Sequence, residues 1–244
     1  MSVVPKLTCI RKHNIDYNWS AEASPGVMVV LGVVFIFLMA PEILAIALSP
    51  VISSVTGYSE NHSSWIVRLL VFTFAIYLCV CLISRLSCFR DLPGGLSISS
   101  SKVFAISVVA AFLIFLLLKY YQAHLSHNDV LALQKNVTKF KVDLRSMPLL
   151  VLFVSLIVVN VLIPIFEEML FRGVLLNYFS RRFNLIVGIS INSIVFMVIH
   201  RSHLPVVLSF GVVASILALK SRGLLAPIIM HVIYNSAVTI DAAR

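Results

Sequence analysis

Four places in the sequence put ionisable side chains inside long apolar runs: Glu42, the pair Glu167-Glu168, His200 and His231. Placing such a group in a bilayer costs roughly 2.5–3.5 kcal/mol, so each asks for a chemical reason. Glu167 and Glu168 open the string Glu167-Glu168-Met169-Leu170-Phe171-Arg172. Glu168 and Arg172 stand four apart with the acid first, the favourable order for an ion pair on one helical face. Glu167 lies about 100° further round the helix and has no arginine at that spacing. A carboxylate left in an apolar cleft while its neighbour is neutralised is a base towards water, because desolvation disfavours its charged form. The bland alternative is a charge cluster that pairs helices or marks a helix end.

Two further strings add nitrogen donors and acceptors. Phe196-Met197-Val198-Ile199-His200 sets an aromatic ring and an imidazole on one helical face, although His200 alone would equally suit a helix end at an interface. His231-Val232-Ile233-Tyr234-Asn235 pairs an imidazole with an amide in the same way. Together those two groups can position a water or stabilise a developing oxyanion, or they can hydrogen-bond between helices. Glu42, beside Pro41, matches none of these strings and either lines the same cavity or kinks its helix.

The elements that must carry these residues follow from composition. Hydrophobic residues make up 60% of the 244 and charged residues 12%, against about 25% charged in a soluble domain. A bilayer core about 30 Å thick needs about 20 apolar residues per spanning helix. Seven such segments can be drawn: roughly 27–48, 65–84, 103–118, 148–168 running on towards Arg181, 185–200, 204–219 and 224–240. An all-α polytopic membrane bundle of about seven spans is expected, organised as a polar N-terminal segment 1–26, three spans in 27–118, a connection 119–147 and a core 148–240. Within the connection, Val130, Leu133, Val137, Phe140 and Leu144 recur at spacings of three and four, which predicts an amphipathic interfacial helix. The N-terminal segment carries no cleavable signal pattern, so the first span is expected to serve as an uncleaved insertion signal. Lysines and arginines favour an N-inside orientation, with 119–146 as the exception.

Nineteen Lys and Arg against ten Asp and Glu look basic. They sit between apolar runs, however, as helix anchors, and nucleic-acid binding is not expected. Cys9, Cys79, Cys81 and Cys88 show no zinc-like pairing and read as thiols in lipid or core. If the segments before and after Arg182–Asn184 form a hairpin, Glu167 and His200 both lie about 23 Å from the turn. His231 would lie only about 12 Å from the same side, a mismatch left to tilt, a kink at Pro227 or a re-entrant start.

In this order and spacing, Glu-Glu-x-x-x-Arg, Phe-x-x-x-His and His-x-x-x-Asn resemble the CPBP family of intramembrane proteases, over about residues 148–240. That family includes the type II CAAX prenyl endopeptidases and the bacteriocin-processing or immunity proteins. The resemblance implies a four-span catalytic core in which Glu167 activates water and Glu168 assists it or pairs with Arg172. His200, His231 and Asn235 would complete the site, with Phe196 against the substrate. It leaves the cofactor open between none and a divalent metal such as zinc on Glu167, His200 and His231. The implied partners are the lipid bilayer and a peptide or membrane-protein substrate, prenylated or carrying a leader. A bacterial cell membrane is the expected location, an endomembrane in a eukaryote. Two other classes compete: a non-cleaving binding or immunity protein of the same fold, and a small transporter using the same residues as a relay.

Overall fold

A computed structural model describes residues 27–85, 101–200 and 204–244. The N-terminal segment 1–26, with Cys9, and residues 86–100, with Cys88, lie outside the described residues, as do residues 201–203. Eight helices follow one another among the described residues: α1 (Val27–Thr56), α2 (Glu60–Arg85), α3 (Ser101–Ala123), α4 (His127–Ser146), α5 (Leu149–Arg182), α6 (Leu185–His200), α7 (Leu204–Ser221) and α8 (Leu225–Ala243). There is no strand among them.

The protein is a multi-pass integral membrane protein. Among the described residues, five helices are long and apolar enough to cross a bilayer, namely Met39–Thr56 within α1 and the whole of α3, α5, α7 and α8. The 16-residue α6 is a shorter apolar helix. With α2, these account for the seven apolar segments of the sequence. Several helices overrun the apolar stretches that mark them: the third span starts at Ser101 and runs to Ala123, not 103–118, because the polar residues Lys119–Gln122 continue the turn. The connection is itself mostly helical. Ser126 caps α4 by accepting a hydrogen bond from the Asp129 N–H, 3.3 Å.

Helix α5 is continuous from Leu149 to Arg182 but changes winding twice. Residues Val158–Leu162 and Met169–Leu175 are π-helical and bracket the short α-helical piece Ile163–Glu168. Pro164 accounts for the first of these. It has no N–H to give to the carbonyl four residues back, and the chain widens ahead of it, so that the Ile163 N–H reaches the Val158 carbonyl. Pro164 thus stands at the start of the α-helical piece, within a helix that runs on to Arg182. π-turns inside α-helices gather at functional sites, and here they flank both glutamates.

Small residues let α5, α6 and α7 pack closely. A β-carbon on Gly188 would meet the Ser180 backbone nitrogen at 2.7 Å, and one on Gly211 would meet the Ser193 Cα at 3.1 Å. Such contacts replace the hydrophobic driving force that lipid does not supply between helices. Helix α8 packs against α3, α4, α5 and α7, whereas the substantial packing of α1 is on α2 alone. The core sits between α5, α6, α7 and α8 around Phe171, Phe196, Phe210 and Met230.

Candidate active site

Three helices bring the titratable strings together. Glu167, on the α-helical piece of α5, points its Oε2 towards two imidazoles: His200 Nε2 at 3.6 Å and His231 Nε2 at 3.7 Å. His200 comes from the last turn of α6 and His231 from the second turn of α8. Equal depth of Glu167 and His200 follows from the α5–α6 hairpin. The expected mismatch of His231 is absent, and Pro227 sits in the first turn of α8, not at a kink in mid-helix. Glu167 is thus not the partnerless carboxylate expected from its spacing to arginine. Its partners come from other helices, which spacing within one string cannot show.

Behind these three lies a buried ion cluster. Glu168 Oε1 accepts from Arg172 Nη1 at 2.8 Å and from His231 Nδ1 at 2.8 Å. Glu168 and the Arg172 side chain are fully buried. Arg172 also donates to the Gly211 carbonyl, 3.4 Å, and its guanidinium lies 4.6 Å from the centre of the Phe196 ring. Phe196 in turn packs against the His200 ring, with centroids 4.1 Å apart, and Phe210 meets His231 edge-on at 4.6 Å. The aromatic residues therefore hold both imidazole planes, while Glu168 fixes one of them.

Hydrogen bonding also assigns the tautomers. With Nδ1–H of His231 donating to the Glu168 carboxylate and Nδ1–H of His200 donating to the Phe196 carbonyl at 2.8 Å, each neutral ring turns its Nε2 lone pair towards Glu167. Separations of 3.6 and 3.7 Å exceed a direct hydrogen bond and are the range in which a water bridges polar groups. The donor types suit zinc. Yet among the described residues no group of three or more His, Cys, Asp or Glu side chains is arranged to hold a metal ion.

A cavity of about 170 Å³ opens on this cluster, lined by Glu167, His200, His231 and Asn235 together with Val159, Ile163, Phe196, Val207, Phe210 and Tyr234. Five of the seven residues that the resemblance assigns to the site line it: Glu167, Phe196, His200, His231 and Asn235. Glu168 and Arg172 do not; they stand in the wall behind His231. Asn235 donates from Nδ2 to the Val159 carbonyl, 3.2 Å, an interhelical bond that leaves its second N–H for the cavity. Glu42 does not line this cavity and instead pairs with Arg68 of α2, Nη2 to Oε2 2.9 Å. Sequence reasoning missed Tyr234 in the cavity wall, although it sits three residues after His231 and so on a neighbouring face. It also passed over Arg68, a charge eight residues into α2.

Comparison with known proteins places this segment. Residues 148–237 match the family model for type II CAAX prenyl endopeptidase Rce1-like proteins. An Escherichia coli protein described only as an uncharacterized 24.3 kDa protein is 32% identical over 102 residues, covering 39% of this chain and 46% of that protein. The match thus spans less than half the length of that relative. No solved structure matches the chain.

Proposed function

Taking residues 148–237 as an Rce1-like domain, we propose that this membrane protein is an intramembrane endopeptidase in which Glu167 activates the attacking water. One observation carries the reading: a half-buried carboxylate faces two imidazole Nε2 atoms at water-bridging distance across a cavity that reaches it. A water between them would donate one proton to Glu167 and the other to an imidazole Nε2, which turns its own lone pair to a peptide carbonyl brought into the cavity. As the oxygen–carbon bond forms, Glu167 takes the proton. The free N–H of Asn235 stabilises the developing oxyanion. When the carbon–nitrogen bond breaks, the proton held by Glu167 passes to the leaving amine. Glu168 and Arg172 act through His231, holding its ring and tautomer as a buried carboxylate does for a working histidine. The apolar wall of Val159, Ile163, Val207 and Phe210 suits an apolar stretch of substrate, such as a peptide tethered by a prenyl group or a leader segment in the bilayer.

The test is cleavage in reconstituted membranes, offering prenylated and leader-type peptides to the wild type and to Glu167→Ala, with a chelator added in a parallel series. Cleavage by the wild type alone, insensitive to chelator, supports the mechanism. Unchanged cleavage by Glu167→Ala removes it. Binding of a peptide by both proteins with cleavage by neither moves the sequestering role ahead.

A further inference from the structure

Helix α8 presents His231, Asn235 and Thr239 four residues apart along one face. That face meets α5: His231 donates to Glu168 at one end of the contact, while Asn235 and Thr239 donate to the Val159 carbonyl and to Asn160 at the other. The eight steps from His231 to Thr239 match the eight from Asn160 to Glu168. The distal half of this ladder grips the π-helical turn Val158–Leu162.

The grip has a physical cause. The Ile163 N–H, which an α-helix would give to Val159, is bound to the Val158 carbonyl. The next residue, Pro164, has no N–H to offer. The Val159 carbonyl is therefore without a donor from either residue, and Asn235 supplies one at 3.2 Å. Beside it, Asn160 is buried and held at both ends of its amide. Its Nδ2 donates to the Leu156 carbonyl, 3.0 Å, and its Oδ1 accepts from the Thr239 hydroxyl, 2.9 Å. Rewinding this turn as α-helix would slip the register by one residue and rotate whatever follows by about 100°. Glu167 would then leave the imidazoles.

We propose that Asn160 and Thr239 are positioning residues that lock the π-helical turn before Glu167 onto α8, and so set the gap between Glu167 and His231. Neither residue lines the cavity. The proposal rests on the endopeptidase reading for its kinetic consequence, but not for its structural one.

The experiment uses the full chain in nanodiscs and a prenylated reporter peptide, with Thr239→Val, Asn160→Ala, the double variant and Thr239→Ser. Thr239→Val and Asn160→Ala should each lower kcat about tenfold, since small displacements of reacting groups are costly, and leave KM within about twofold. The double variant should lose no more than Asn160→Ala alone, because that variant has already cut the Thr239–Asn160 bond. Thr239→Ser should return to wild type. Histidine ¹⁵N spectra give a readout without cleavage: the His200 and His231 signals should move in Thr239→Val and not in Thr239→Ser. Wild-type kcat in both single variants, additive losses, or a KM that rises in step with the fall in kcat would each overturn the proposal. If the wild type cuts nothing, the protease reading fails by itself and the spectra decide: unmoved signals overturn the lock. Should Asn160→Ala not fold, the nearly isosteric Thr239→Val carries the test.

Discussion

Among the described residues, two glutamate–arginine pairs lie inside helices, with nearly equal contact distances and different surroundings. Glu42 and Arg68 meet at 2.9 Å between α1 and α2, with side chains 41% and 21% exposed. Glu168 and Arg172 meet at 2.8 Å within α5, and both side chains are fully buried. Arg68 adds a bond to Ser64 and a stacking contact with Trp65, all on its own helix. Arg172 reaches the backbone of α7 and stacks on Phe196 of α6, while its glutamate also accepts a hydrogen bond from His231 of α8. The first pair joins two helices; the second is the point at which four helices agree. An intramembrane ion pair is thus a weak sign of function by itself, and the number of elements converging on it is the stronger one.

The contrast can be broken most decisively at Glu167. Glu167→Gln keeps the shape of the side chain and removes the base, so cleavage should fall by about 10³-fold with the thermal midpoint close to wild type. Retained cleavage would show that the convergence serves structure alone. Next in size is the removal of one arginine from each pair. Arg172→Met leaves Glu168 buried without its counter-charge, which costs about 3–5 kcal/mol, and should lower cleavage by about 10–100-fold through a loosened His231. Adding Glu168→Gln to Arg172→Met should restore much of the stability and none of the rate. Unfolding followed by denaturant and kinetics on the same preparations separate the two effects. A double variant that regained the rate would mean that the cluster only holds the helices together.

The same contrast explains what could be read in advance. Composition and the length of apolar runs give the spans, because bilayer thickness acts on every helix alike. Glu167, His200 and His231 stood out because each is costly in lipid; each histidine also shares a helical face with a ring or an amide, and Glu167 adjoins a glutamate that pairs with Arg172. The way they meet was not legible. Equal counting from one turn puts Glu167 and His200 at one depth, but it presumes uniform winding, and α5 is wound as π-helix on both sides of its glutamates. Asn160 and Thr239 gave no signal at all: a buried amide and a hydroxyl in a span carry no charge, and their partnership spans 79 residues.

A smaller effect is expected where helices touch without charged groups. Gly188→Ala sets a methyl against Ser180, whose Oγ can rotate away but whose backbone nitrogen, 2.7 Å from the new atom, cannot. The loss should be about 1–3 kcal/mol from overpacking, read as a lowered thermal midpoint. Cleavage per folded molecule should hold, since the α5–α6 turn is on the order of 20 Å from Glu167 along the helix. A kinetic defect without a stability defect would mean that the hairpin angle, not its strength, sets the site.

The smallest change is expected at the exposed pair. A cycle of Glu42→Gln and Arg68→Met should give a coupling of about 0.6 kcal/mol, as interhelical polar contacts in membrane proteins do, and cleavage within about twofold of wild type. The reason is connectivity. Helix α1 packs substantially on α2 alone, so the pair can affect the site only through α2 against α5. On that route Phe72, one turn beyond Arg68, meets Phe166 edge-on with ring centres 5.6 Å apart, and Phe166 directly precedes Glu167. Rings in a packed wall absorb a small rotation of α2 by sliding, and the backbone of α5 is tied independently to α8. A fall in cleavage of tenfold or more with normal stability would show that this route transmits, and Phe72→Leu should then reproduce it.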